Sequence, residues 1–304
     1  MEAPKRIVTL LPAATEIVCA VGGRFRLVGR SHACDHPADV IELPAVTRPR
    51  QQPPQGQPAD PLSALAAFEI DFDLLAELQP DLIVTQDLCA HCAVSLADVE
   101  QAVRDRLSDQ TRILCLQPTT LHEVIADVRR VAQAIGMGNK GTRLATDMME
   151  RINTVAAEVR QGRAAPNRPT VAAIEWFEPL MVAGNWVPDL VELAGGVNLL
   201  GEAGQHSPTT SLDALLAAEP QVLLLMPCGL DVETTRARFE AQLEADARWQ
   251  EVRAVREGQV YACDGNAFFN RPGPRVVESL EIAAECLHPQ VFSFGHDMTG
   301  WQRL

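Results

Sequence analysis

The sequence predicts two similar α/β lobes, each built on a parallel sheet, joined by one long helix. Three observations predict this. Short β-branched and apolar runs alternate with amphipathic helical segments along the chain. DFDLLAELQPDLIV (71 to 84) lies over SLDALLAAEPQVLLL (211 to 225) at a constant offset of 140, so that Asp73 falls on Asp213, Leu75 on Leu215 and Pro80 on Pro220. Between these units Leu144, Met148, Ile152, Val155 and Val159 recur at three- and four-residue spacing, the mark of an amphipathic helix over 139–162. About 24 helical residues extend about 35 Å, enough to pass from one lobe to the other. The domain reading is an N-terminal α/β lobe over 1–138, a bridging helix over 139–165 and a C-terminal α/β lobe over 166–304, with a ligand cleft between the lobes.

The elements follow in order. Arg6 to Thr9 reads as the first strand. A helix follows, with Pro12 in its first turn, and ends at Gly22-Gly23. Leu27 to Gly29 is a short strand, and SHACDHP (31 to 37) is a polar loop after it. Residues 44 to 61 are proline-rich and read as an irregular surface loop. Phe72 to Leu78 is a helix that Asp71 can cap, Leu82 to Val84 a buried strand, and 94 to 107 a helix. Arg112 to Leu116 is a strand and Leu121 to Ile135 a helix ending at Gly136. Beyond the long helix, Thr170 to Ile174 is a strand and Trp176 to Asn185 a loop or hairpin. Val187 to Leu193 and Leu212 to Ala218 are helices, the latter capped by Ser211. Val222 to Met226 is a strand, Val232 to Ala245 a helix, Val260 to Ala262 a strand, 263 to 275 a loop and Val276 to Leu287 the last helix.

The bulk composition narrows the function. A chain of 304 residues, 47% hydrophobic, holds a sizeable core. A net charge of -14 argues against a nucleic-acid or anionic-membrane surface. No apolar run of about 18 residues exists to insert in a membrane. The N-terminus is basic and then apolar, like a signal peptide. However, Pro12, Thr15 and Glu16 interrupt the apolar stretch, and no clean cleavage site follows. This predicts a cytoplasmic protein, or a periplasmic one whose signal has been removed. Most of the eight cysteines sit in apolar runs, as reduced residues do.

In open α/β sheets ligands bind beyond the carboxyl ends of the strands. The chemistry is therefore expected in the loops at 31–37, 86–92, 176–186 and 264–271. Cys89, His91 and Cys92 form a C-x-H-C cluster after a buried strand, and thiolate with imidazole suits zinc or an iron centre. A closed site needs more ligands than one CxxC supplies. Cys34 and Cys263 lie in loops expected on the same cleft and would complete it. Reduced cysteines that merely line a pocket are the competing reading. Trp176, Trp186, Phe268 and Phe269 are placed to stack on a flat ligand, or else plug the lobe interiors. His32, Asp35 and Gln86 can bond a polar ligand. Arg271 holds an anionic group or caps the last helix. His122, His288 and His296 read as surface or structural residues. No phosphate loop, nucleophile elbow or H-E-x-x-H appears, and no nucleophile is paired with a base by spacing.

RIVTLLPAATEIVCAVG, SHACDHP, LPAVTR, the unit around LQPDLIV, LVELAGGVNLL, LDALLAAEPQVLLL and DGNAFFNRPGPRVVESLEIAA occur in an order that resembles the helical-backbone substrate-binding proteins of ABC importers. The cobalamin (vitamin B12)-binding members are the most similar. The resemblance covers nearly the whole chain and implies two Rossmann-like lobes. It also implies a corrinoid or other metal-chelate ligand flanked by aromatic side chains, an ABC-importer permease as partner if the protein is exported, and no catalysis. The family's transporter-docking acids fall on Asp73 and Asp213, where Asp stands for the usual Glu. The cysteines of CDHP and CAHC depart from the cobalamin binders. A metal- or iron-sulfur-cluster-bearing enzyme on the same scaffold, using Cys34, Cys89 and Cys92, is the alternative.

Overall fold

A computed structural model describes residues 2–49, 68–86, 100–101, 107, 110–162 and 168–304. The chain divides into two compact units. The first comprises Met1–Pro118 and Ile125–Thr146, the second Thr119–Val124 and Asp147–Leu304.

In the first unit β1 (Ile7–Thr9), α1 (Pro12–Ala20), β2 (Leu27–Arg30), β3 (Thr47–Pro49), β4 (Phe68–Ile70), α2 (Phe72–Leu78), β5 (Leu82–Gln86) and β6 (Arg112–Leu116) lead to α3 (Leu121–Ala134) and α4 (Gly138–Arg160). The sheet order is β2-β1-β5-β6, every pairing parallel. Its core joins Val8, Leu10, Val46, Leu75 and Ile83. β3 and β4 pair antiparallel as a separate ribbon that the proline-rich reading missed.

The second unit continues with β7 (Thr170–Phe177), β8 (Leu180–Val182), α5 (Val187–Leu193), β9 (Val197–Asn198), α6 (Leu212–Ala218), β10 (Val222–Leu225), α7 (Val232–Ala245), β11 (Val260–Cys263), α8 (Val276–Leu287) and β12 (Trp301–Arg303). β9, β7, β10 and β11 lie side by side, all parallel, in the order of the first sheet. Antiparallel β8 on β7 and β12 on β11 extend this parallel array into a mixed sheet. Its core packs Ile174, Phe177, Leu215, Leu223, Leu225, Phe239 and Trp249, the last two rings edge to face at 5.5 Å.

The repeat at offset 140 extends to individual bonds. Asp71 accepts the Leu74 N–H at 2.9 Å and Ser211 the Ala214 N–H at 3.1 Å, capping α2 and α6. Both helices end on a left-handed residue, Gln79 at φ 43° and Glu219 at φ 46°, before a buried proline. Asp81 then accepts the Arg6 N–H at 3.0 Å, and Gln221 the Thr170 N–H at 3.0 Å. Each side chain thereby ties the start of one central strand to its neighbour.

The C-terminal segment is stitched to α8 by acids. Glu281 accepts from Arg151 Nε at 3.0 Å and Nη2 at 2.7 Å, and pairs with His296 Nε2 at 2.9 Å. The hydrogen bond to Glu281 raises the His296 pKa. Burial pulls Glu281 upward, but its bonds to His296 and Arg151 outweigh burial and hold its carboxyl below the usual range. The imidazolium's contribution to stability is full below the ordinary histidine pKa and is lost as pH rises through the raised value. The carboxylate's contribution is full above the ordinary glutamate pKa and is lost as pH falls through the lowered one. Urea midpoints followed from about pH 5 to about pH 9 should therefore decline on the alkaline side. His296→Asn should flatten that decline; an unchanged slope would remove the pair from the stability account.

Candidate functional site

At the carboxyl end of the first sheet, Thr15 Oγ1 lies 2.7 Å from Thr9 Oγ1 and 2.9 Å from Cys34 Sγ. All three residues are buried, Cys34 being 1% exposed. Cys34, expected on an open loop, is enclosed here. The sulfur is enclosed among hydroxyls because its loop folds back on α1. His32 is half-buried. Its backbone N–H donates to Thr47 Oγ1 at 3.0 Å, its Nδ1 sits 2.7 Å from the same oxygen, and its ring meets Phe68 edge to face at 4.7 Å. Burial, aided by Arg30, lowers its pKa and favours the neutral imidazole. Arg30 holds the loop itself, donating to the carbonyls of Val40, Ser31 and Ile41 at 3.0, 3.0 and 2.9 Å. Asp35 is exposed, and Gln86, half-buried, ends β5. Cys89, His91 and Cys92 lie outside the described residues.

At the same edge of the second sheet, β7 runs into β8. The register slips between Ile174 and Trp176, so Glu175 is the extra residue of a bulge. Glu175 and Trp176 are consequently both half-buried between the buried Ile174 and Phe177. Trp176 Nε1 donates to the Glu178 carbonyl at 2.9 Å, which fixes the indole against its own hairpin.

The loop after β11 is built as a unit. Asp264 caps the π-helical turn Gly265–Phe269 by accepting the Ala267 N–H at 2.6 Å, and burial raises its pKa. Asn270 Nδ2 donates to the carbonyls of Met226 at 3.0 Å and Gly265 at 2.9 Å. A Cβ on Gly265 would stand 2.2 Å from the Pro227 carbonyl oxygen and 2.6 Å from that of Met226. Only glycine lets this turn lie on the end of β10. Gly265→Ala should force the turn outward and cost about 1–3 kcal/mol. A thermal midpoint indistinguishable from the parent's would refute that close packing.

Several expected ligand contacts prove to be interior. Trp186 is 6% exposed and its Nε1 donates to the Phe269 carbonyl at 2.9 Å, while Phe269 is 1% exposed. Arg271, 4% exposed, donates from Nη2 to Asn266 Oδ1 at 3.2 Å and from its backbone to Phe268 O at 3.0 Å. These three hold the loop together from within, the interior packing that was the alternative reading of Trp186 and Phe269. Phe268 remains half-buried, with the Arg275 guanidinium 5.3 Å over its ring and His296 at its edge, 6.2 Å away. Cys263 closes β11, fully buried, and is not in a loop. Burial and then its neighbour Cys263 push the Cys286 thiol well up. Among the described residues no three His, Cys, Asp or Glu side chains are grouped to hold a metal ion, and no helix is long and apolar enough to cross a membrane. Asp73 and Asp213 are exposed at matching positions of α2 and α6, and Asp213 pairs with Arg248 Nη1 at 2.9 Å. Sequence reasoning missed Glu175 and its partner Ser207, because neither sits in a motif.

The pattern of the periplasmic binding proteins matches residues 7–267. A vitamin B12-binding protein of Vibrio cholerae is 25% identical over 285 residues, 91% of this chain and 87% of the relative. An uncharacterized ABC transporter substrate-binding lipoprotein of Bacillus subtilis is 20% identical over 95% of this chain and 82% of the relative. Among solved structures, a periplasmic haem-binding protein from Pseudomonas aeruginosa superposes with a TM-score of 0.74 at 19% identity, covering 95% of this chain and 94% of that one. The periplasmic vitamin B12-binding protein of Vibrio cholerae gives 0.69 at 23% identity, covering 94% and 97%. These relatives are binding proteins, and the metal- or cluster-bearing enzyme reading has no support among them. They are named as periplasmic proteins or as a lipoprotein, so the cytoplasmic expectation is unsupported as well. With its two parallel strand arrays of equal order and a match running from β1 into the loop after β11, the chain belongs to the periplasmic binding protein family.

Proposed function

We propose that this protein captures a corrinoid, without chemistry, and delivers it to the permease of an ABC importer on the outer side of the cytoplasmic membrane. The observation that carries the reading is the similarity to vitamin B12-binding proteins along nine-tenths of the chain. The site geometry agrees with it. Trp176 and Phe268, both half-buried beyond strand ends of the second unit, are the aromatic rings on which a flat ring system would stack. In the first unit His32 and Asp35 beyond β2, with Gln86 at the end of β5, offer hydrogen bonds to polar arms. The neutral imidazole of His32 can donate or accept. Asp73 and Asp213 are the candidate permease contacts. They occupy equivalent exposed turns of the two units and carry like charge.

The test is titration of purified protein with cyanocobalamin, followed by the corrin absorption, with haemin in parallel. Saturable binding at a stoichiometry near one is expected for the corrinoid. Binding of haemin alone would overturn the corrinoid assignment, and binding of neither would overturn the ligand class. Charge reversal at both Asp73 and Asp213 should abolish corrinoid uptake in cells while leaving the titration unchanged. Normal uptake by that double variant would remove the docking assignment.

A further inference from the structure

The first sheet runs β2-β1-β5-β6, so from β1 the chain passes to β2 on one side and later to β5 on the other. Such a switch point opens a crevice beyond the carboxyl ends of the strands, where ligands of open α/β sheets bind. His32 stands at this edge, just past β2, and the β3–β4 ribbon holds its ring from two sides. Phe68 of β4 meets the ring edge to face at 4.7 Å. Thr47 of β3 fixes its tautomer. The buried Thr47 hydroxyl donates its one proton to Ser31 Oγ at 3.0 Å. Its oxygen must then accept in every other bond it makes. It accepts the His32 backbone N–H at 3.0 Å, so His32 Nδ1, at 2.7 Å, is its second donor. Burial keeps the ring neutral, and a neutral ring with its proton on Nδ1 has a bare lone pair on Nε2. Among the described residues no hydrogen bond reaches Nε2.

Metal-ligating histidines are neutral and donate their second ring N–H to a fixed acceptor, which sets the tautomer. His32 has both features before any ligand arrives. We infer that His32 Nε2 is the axial ligand to the metal at the centre of the captured chelate. The inference rests on the corrinoid reading above. It narrows the part of His32 there from a general hydrogen-bonding group to a lone-pair donor. A chelated cobalt already holds its in-plane nitrogens, so one side chain completes an axial position without a cluster of protein ligands. The step is a ligand exchange. Nε2 donates its lone pair to cobalt(III), the bond from cobalt to an axial water breaks, and the water leaves with its electron pair. No proton or electron is transferred. An axial cyanide, held more strongly than water, blocks the exchange.

The experiment uses two cobinamides with the same ring and arms and no nucleotide base. Aquacobinamide offers an exchangeable axial water, and dicyanocobinamide does not. Both are titrated by absorption into the parent, His32→Gln and Thr47→Val, with circular dichroism melts to confirm folding. The parent should bind aquacobinamide more tightly and shift its corrin bands, as replacement of water by imidazole does. Thr47→Val, which keeps the shape and frees the tautomer, should weaken aquacobinamide binding by about tenfold or more. His32→Gln should abolish both the shift and the preference. Reduction of the bound aquacobinamide to cobalt(II) gives an independent readout. Its electron paramagnetic resonance lines should split into triplets from one axial nitrogen, and into doublets when the protein's histidines carry the heavier nitrogen isotope. Cobinamide has no axial nitrogen of its own, so this splitting comes from the protein. No nitrogen splitting in the parent, or splitting that survives in His32→Gln, overturns this inference and leaves the corrinoid reading standing. A parent that binds neither cobinamide overturns both.

Discussion

Replacing Trp176 with alanine is expected to weaken corrinoid binding about thirtyfold. The indole is half-buried in β7, and its N–H is satisfied by the Glu178 carbonyl, so the ring is held in place before any ligand arrives. A ligand that covers about 80 Å² of its remaining surface gains about 2 kcal/mol at about 25 cal/mol per Å². Alanine removes that area, and 2 kcal/mol converts to about thirtyfold in Kd. Trp176→Phe should recover most of the affinity, because it restores an aromatic face. Stability should fall little in either variant, since the hairpin core rests on Phe177, Leu180 and Val182. An alanine variant with parental affinity and a parental melt would show that the ligand does not use this face.

The largest effect on stability should come from Glu285→Ala. The residue is 3% exposed in α8. One carboxylate oxygen accepts the backbone N–H of Phe294, that of Gly295 at 2.8 Å and that of His296 at 3.5 Å; the other accepts Trp301 Nε1 at 2.7 Å. Hydrogen bonds to a charged group stabilise more than neutral ones, and truncation leaves buried donors without partners. A loss of about 3–5 kcal/mol follows. The same change should release the chain from 292 to 303, seen as new proteolytic cleavage there in the folded protein. Glu285→Gln, which keeps one acceptor oxygen, should lose less. Equal melts for the parent and Glu285→Ala would refute this account.

Elements with strong local signals were legible in the sequence. The helices at 72–78, 187–193, 212–218, 232–245 and 276–287 fall where proline, capping residues and apolar spacing put them. The offset of 140 predicted a shared helix-proline-strand unit, and the structure reproduces it down to the caps and the strand-tying side chains of Asp81 and Gln221. Four short strands, β3, β4, β9 and β12, were not legible. They carry no periodicity of their own and exist because a partner strand lies beside each.

The site was legible at the level of which loops, and not of which side chains. Trp176 and Trp186 look alike in sequence, each near a strand end. Trp186 turns inward because its indole N–H finds a carbonyl 83 residues away, at Phe269. Trp176 stays half-exposed because a bulge in its strand shifts the alternation. Cys34 and Arg271 were read as open loop residues, and the folding of their loops back onto the units buries both. Glu175 had no signal, since bulges arise from pairing between strands rather than from residue type.

By itself, then, the sequence determined two α/β units on parallel strands and the family to which the chain belongs, because those properties are written in short-range spacing, caps and the order of segments. Only the tertiary structure decided which aromatic faces stay open, which thiols are enclosed and which carboxylate stands at the strand ends. Those outcomes depend on contacts between residues far apart in the chain, and burial is set by the partner that the fold brings up, not by the side chain's own character.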